Sequence, residues 1–231
     1  MNLESKVVLI TGASGGLGNA VTNAFLDAGA NVAGVSPNIK DSQFPHANFI
    51  AIPAALSSLA GAREVAEKAI AKWGKIDALV HLVGGFAGGE SVADTDDATL
   101  ERMLDMNLRT AFHILRAVIP QMRAQGTGRI LAIGSRTATN PVPALGVYSA
   151  SKAALVSLVQ TVALENKDRG ISANVILPGT MDTPANRAGN PQADFSKWVQ
   201  PSQIASLLVH LSGDAAANIS GAVIPVLGGD L

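Results

Sequence analysis

The sequence predicts an α/β fold in one domain spanning 1–231, a doubly wound parallel sheet of about seven strands with helices on both faces. Short apolar runs alternate with longer helical patterns along the whole chain, the order that builds strand–helix–strand crossovers. Most of the short runs are apolar throughout, as strands covered on both faces are. A glycine-rich turn, "TGASGGLG", follows the first run directly and opens the first helical pattern.

Taken in order, the elements are "KVVLI" (6–10), a helix over 16–28, and "NVAGV" (31–35). The stretch 36–47 is too short for a helix, so "NFIAI" (48–52) follows as the third strand. A helix over 58–73, "IDALVHLV" (76–83), a long helix over 97–125 and "RILAI" (129–133) come next. A helix over 150–168, "ISANVI" (171–176), a helix over 201–212 and "AVIPV" (222–226) complete the series. No linker, low-complexity stretch or repeat divides it. The segments 97–125 and 150–168 carry apolar or small residues around most of their circumference, whereas a helix buried on one side only shows a polar stripe. The expectation is a homodimer or homotetramer, with one face of each helix on the sheet and the other on a second subunit.

Hydrophobic residues make up 48% of the chain and charged residues 15%, enough for a core on both sides of a sheet. The net charge is −1 with no run of Lys or Arg, which argues against nucleic-acid and anionic-membrane partners. The absence of cysteine excludes disulfides, thiolate catalysis and cysteine-based zinc sites. His46, His81, His113 and His210 are scattered without metal-ligand spacing. Strand-like sequence begins within six residues of the start, leaving no room for a targeting peptide. No apolar run reaches about 18 residues, the length of a membrane span. A cytoplasmic protein is expected.

The turn places Gly12, Ser14, Gly15, Gly16, Leu17 and Gly18 between a strand and a helix. Glycine allows unusual backbone angles and lets a pyrophosphate approach the main chain. The helix start offers unpaired N–H groups and a positive dipole end, so a dinucleotide is the expected ligand. Downstream, "YSASK" holds the one tyrosine of the chain, Tyr148, and Lys152. Residues i and i+4 share a helix face. A free phenol titrates near 10, and a nearby cation or helix N-terminus favours the phenolate. A fall of two to three units would suit acid–base work.

The set T-G-x-x-x-G-x-G, Asn107 in "DMNLRTAF", Ser135 in "ILAIGS", YSASK and "PGTMDT" (178–183) resembles the short-chain dehydrogenase/reductase family over nearly the whole chain. The resemblance implies a Rossmann-type sheet and a nicotinamide cofactor. It implies Tyr148 as general acid in reduction and general base in oxidation. Lys152 would lower the phenol's pKa and bind the nicotinamide ribose, and Ser135 would hydrogen-bond the reacting oxygen. Asn107, mid-helix, would hold a water in the relay to Lys152, or else kinks its helix. Thr183 would contact the carboxamide, or is a turn threonine before Pro184. Pro178 and Gly179 would shape the turn beneath the nicotinamide.

The family's N-N-A-G is His81, Leu82, Val83 and Gly84 here. Only the turn glycine is kept, and His81 is expected as a satisfied core residue. Where an acidic residue would read an NAD ribose, the chain has Ser36, and a second acidic position is Ala55. NADP is therefore favoured over NAD, with Ser36 and Lys40 as phosphate contacts. "GGFAGG" (84–89), the missing helix after the second strand and "LPGTMDTPANRAGNPQADFSKW" (177–198) resemble quinonoid dihydropteridine reductase. Phe86 and Trp198 would sandwich a flat ring such as a pterin, or else anchor loops. Val147, Met181 and Arg136 complete the expected substrate side, Arg136 either meeting an anionic group or standing as a structural arginine. The functions in view are hydride transfer between NAD(P)H and a carbonyl/alcohol pair, reduction of a quinonoid pterin, and a non-enzymatic nucleotide sensor or scaffold.

Overall fold

The computed structural model describes residues 2–229. Seven strands lie in one parallel sheet: β1 (Val7–Thr11), β2 (Asn31–Ser36), β3 (Phe49–Pro53), β4 (Ala78–His81), β5 (Gly128–Ile133), β6 (Ile171–Pro178) and β7 (Val223–Val226). Their order, β3-β2-β1-β4-β5-β6-β7, reverses between β1 and β4, and ligand crevices open at such a switch point. The alternation of side chains in a strand divides the core in two. Leu9, Leu79 and Ala173 face α2 (Leu59–Trp73), α4 (Thr110–Gln125) and α5 (Gly146–Asn166). Ile10, Val80 and Ile176 face α1 (Gly16–Asp27) and α7 (Pro201–Ser212). Strands apolar on both faces are thus explained by two helical layers. Between β2 and β3 there is only a 3-10 turn, Asp41–Gln43, as the short connection requires.

Three elements differ from the sequence-based expectation, and all three shape the site. The segment 97–125 is not one helix: α3 (Asp97–Leu104) passes through a π-turn, Asp105–Arg109, before α4 begins. The next helix starts at Gly146, four residues earlier than the pattern indicates, so Tyr148 stands in its first turn. A short helix, α6 (Pro184–Gly189), lies within the stretch after β6, capped by Thr183. The span Gly146–Arg169 is long and apolar enough by composition to cross a bilayer. In this fold it packs on β6, and Leu155, Val159 and Ala163 are buried there.

Candidate active site

The nucleotide side is built from backbone. Gly12 has φ +75°, and its N–H reaches the Val35 carbonyl at 2.8 Å, tying the turn to β2. A Cβ on Gly18 would lie 2.1 Å from the Gly12 oxygen, so the turn closes only with glycine there. α1 then starts at Gly16 with no side-chain cap, which leaves its first N–H groups for a ligand. Leu17 is buried beneath the turn, and Gly16 faces the Thr183 side chain. A mostly apolar cleft of about 320 Å³ adjoins it, its walls including Gly12, Ser36, Ala55, Val83 and Thr110. A glycine turn, an uncapped helix start and an apolar slot suit a pyrophosphate and a flat base.

Ser36 lines this cleft with its hydroxyl already engaged. Its hydroxyl is buried, donates to the Val35 carbonyl at 2.7 Å and accepts from the Ser14 N–H at 3.2 Å. That oxygen stitches the turn to the strand.

The catalytic side is built from buried polar side chains. Ser135, which follows β5 in extended conformation, lies beside the Tyr148 hydroxyl. The Ser135 oxygen also accepts from the Thr137 N–H at 3.2 Å and lies 3.0 Å from the Thr137 hydroxyl. Lys152, one turn beyond Tyr148, is buried and donates to the Ile133 carbonyl at 2.9 Å. Burial lowers its pKa to about 8. The lowering of the phenol expected from Lys152 is outweighed here by burial. Burial pushes Tyr148 above its ordinary value, and the neighbouring Ser135 works against that rise.

Asn107 sits in the π-turn, fully buried, where the extra residue of the turn lets its amide face the loop after β4. Its oxygen accepts from the Gly85 N–H at 2.8 Å, and its nitrogen donates to the Gly85 carbonyl at 3.1 Å and to Ser151 at 3.0 Å. A Cβ on Gly84 would lie 2.8 Å from the Asn107 oxygen and 2.9 Å from the Lys152 nitrogen. The kept glycine is where those two side chains converge.

His81 is only half satisfied. Its Nδ1 pairs with the Thr11 hydroxyl at 2.8 Å across β1 and β4, while Nε2 has no partner among the described residues. Burial first, then the charge of Lys152, lowers its pKa to about 3, so the ring stays neutral.

On the substrate side, Phe86 is 67% exposed, and its ring meets Tyr148 at 5.1 Å and 68°. Val147 lines a separate, polar hollow of about 260 Å³ with Glu90, Thr95, Thr99 and Arg102. Arg136 opens the 3-10 turn after Ser135 and is half-buried. Met181 packs on the core at the neck of the stretch after β6. Pro178 ends β6, and a Cβ on Gly179 would lie 2.6 Å from the Leu227 oxygen. The Thr183 oxygen accepts from the Asn186 N–H at 3.3 Å as the cap of α6. Trp198 does not form half of a sandwich. It is only 7% exposed with its ring on Phe195 at 4.7 Å, which leaves no open face for a ligand.

Sequence reading missed the clasp of this stretch. Arg187 donates to both oxygens of Asp182, at 2.5 and 2.8 Å, and Gln200 donates to one of them at 3.0 Å. The i,i+5 spacing of Asp182 and Arg187 fits no regular helix pair, so no periodicity signals it.

A family profile described as short chain dehydrogenase matches residues 6–194. The chain is 32% identical to the short chain dehydrogenase adrF of Penicillium rubens, over 97% of this chain and 96% of the relative. It is 31% identical to the 3-oxoacyl-(acyl-carrier-protein) reductase FabG of Thermotoga maritima, over 99% of each. A crystal structure of 3-ketoacyl-(acyl-carrier-protein) reductase from Brucella melitensis complexed with NADH aligns with a TM-score of 0.90 over 99% of each chain, at 27% identity. The matched span takes in the glycine turn, Ser135, Tyr148 and Lys152 together, and by it this chain belongs to the short-chain dehydrogenase family of oxidoreductases.

Proposed function

We propose that this chain interconverts a small-molecule carbonyl and its alcohol with a nicotinamide dinucleotide, NADP preferred, using Tyr148 as acid and base. The observation that carries this is the convergence of Ser135 and Tyr148 beside buried Lys152. Relatives named as reductases of 3-oxoacyl substrates support a carbonyl as the reacting group. The bound nucleotide would supply or accept the hydride. The glycine turn and the start of α1 would hold its phosphates, and Lys152 and Thr183 its nicotinamide end. In reduction, Ser135 hydrogen-bonds the carbonyl oxygen and Tyr148 gives it a proton as negative charge builds. Burial keeps the phenol protonated at neutral pH, the form that reduction needs. Oxidation needs the phenolate and gains as pH rises. The charge on Lys152 favours that phenolate as it forms.

Neither Ser36 nor Ala55 places a carboxylate against a 2′-phosphate. Lys40, exposed four residues beyond β2, is the cation proposed to meet it. Titration with NADPH and NADH, followed by nicotinamide and tryptophan fluorescence, tests the nucleotide. Micromolar NADPH binding, weakened by Lys40→Ala, is expected; equal affinity for the two nucleotides removes the NADP preference. No binding of either by folded protein leaves only a non-enzymatic role. Ser135→Ala should cost about 2–4 kcal/mol of transition-state stabilisation with a carbonyl and little with a quinonoid pterin. The pterin reading rested on the resemblance of 84–89, of 177–198 and of the short β2–β3 connection; the burial of Trp198 removes the ring sandwich that would have suited it. A homodimer or homotetramer through α4 and α5 is part of the proposal. Phe112 and Leu164 leave large apolar surface on these helices, Leu164 being 73% exposed, and a monomeric mass by light scattering would overturn it.

A further inference from the structure

Phe86 is a large apolar ring held open to solvent beside the reacting phenol. Exposed aromatic surface at the mouth of a site is what a ligand covers. Its position is set by packing of the loop backbone. The Gly89 N–H donates to the Ala144 carbonyl at 2.9 Å, and a Cβ on Gly88 would lie 2.2 Å from Leu145 and 3.2 Å from the Phe86 ring. The loop is therefore pressed against the residues that lead into α5 and Tyr148. Val92, 74% exposed, lies over the first turn of α5, where a Cβ on Gly146 would come within 2.5 Å of it. Val142, in the facing loop, is exposed as well.

The Phe86–Tyr148 contact is edge-to-face, at 68°. The two rings do not cover one another, and 67% exposure leaves Phe86 surface free beside Tyr148. Aromatic rings gain most from a flat partner placed offset or on edge. A linear chain matches that surface less well and loses more rotational freedom on binding.

We infer that Phe86 selects the substrate and that its class is a ketone carried on, or directly attached to, a flat apolar ring. This rests on the carbonyl reading above. The reaction is balanced by groups already named. Hydride from the reduced nicotinamide adds to the carbonyl carbon, the C=O π electrons pass to oxygen, and the Tyr148 proton completes the alcohol. The reduced nucleotide is oxidised and the ketone is reduced.

The test measures NADPH oxidation with three ketones: a phenyl alkyl ketone, a linear alkan-2-one of equal carbon number and a 2-keto acid. Wild type, Phe86→Ala and Phe86→Trp are compared. The expected kcat/KM for the aryl ketone exceeds that for the linear ketone at least tenfold. Phe86→Ala should cut that ratio at least fivefold, chiefly through KM, and Phe86→Trp should keep it. Equal use of the aryl and linear ketones by wild type overturns the inference alone, as does a Phe86→Ala variant with an unchanged ratio. Turnover of none of the three by nucleotide-bound wild type overturns the carbonyl reading itself, and the inference with it.

Discussion

The two halves of the sheet's carboxyl edge are made of different material. Around β1 and β2 the site is main chain: a glycine turn, an uncapped helix start and a serine whose hydroxyl faces the backbone. Around β5 and α5 it is side chain: Ser135, Tyr148, Lys152 and Asn107, each half or fully buried. The first half is sensitive to added atoms, because space is its function. The second is sensitive to removed atoms, because protons and charge are its function.

The largest expected effect tests the first half. In Gly18→Ala the new methyl would fall 2.1 Å from the Gly12 oxygen and 2.6 Å from the Ala13 oxygen, backbone that cannot step aside. Nucleotide binding should be lost in the fluorescence titration, with circular dichroism reporting whether the fold survives. Retained affinity would break the contrast.

Tyr148→Phe removes one oxygen from the second half. Nucleotide affinity should persist while turnover falls about 10²–10⁴-fold, read as nicotinamide absorbance against time. Gly84→Ala sits between the two cases. Its clashes are with the ends of two side chains, Asn107 and Lys152, rather than with backbone, so the protein should fold. Displacement of catalytic groups by about 1 Å costs on the order of 10²-fold in rate, and a variant as active as wild type would show that the convergence at Gly84 is dispensable.

Lys152 offers a subtler test. Its folded pKa, about 8, lies below the ordinary value of 10.5, so the unfolded chain binds the extra proton between those limits. Stability must rise with pH across that window. Between pH 7.5 and 9.5, urea unfolding of wild type should gain about 2 kcal/mol relative to Lys152→Met. This range stays below the raised titration of Tyr148. A flat difference would mean that the ammonium is better solvated than its burial implies. The smallest effect belongs to Ser36→Ala, which removes one stitch between turn and strand. A loss of about 1 kcal/mol, the net worth of such a bond, should appear as a few-fold weaker nucleotide binding.

The layered sheet, the glycine turn and the placement of Tyr148 and Lys152 on one helix were legible because they follow from local pattern, whereas Ser135 was singled out only by the family resemblance. Runs apolar on both faces, a glycine turn after a strand and an i,i+4 pair need no distant partner to be read. The rest depends on pairings that only the fold creates. Thr11 meets His81 because β1 and β4 are neighbours in register, though 70 residues separate them. Asn107 meets Gly85 and Ser151 because a π-turn interrupts an unbroken helical pattern. Ser36 reads as a phosphate ligand by position, but its oxygen turns inward to serve the Ser14 N–H. Trp198 reads as half of a ring sandwich, but Phe195, three residues earlier, covers it.

The stretch between β6 and α7 leaves and returns at a single point. Met181 and Val199 form a parallel bridge, the Val199 N–H donates to the Thr180 carbonyl, and the Asp182 N–H donates to the Val199 carbonyl, both at 2.8 Å. A loop with its ends already joined can change length and content at little entropic cost. Residues 184–198 thus form an exchangeable cassette. Insertions or transplanted segments in it can redraw the substrate cover while the neck hands the chain back to the sheet unchanged. Diversity of substrate within one scaffold then requires mutation of the cassette and of the Phe86 loop, and of nothing that holds the nucleotide.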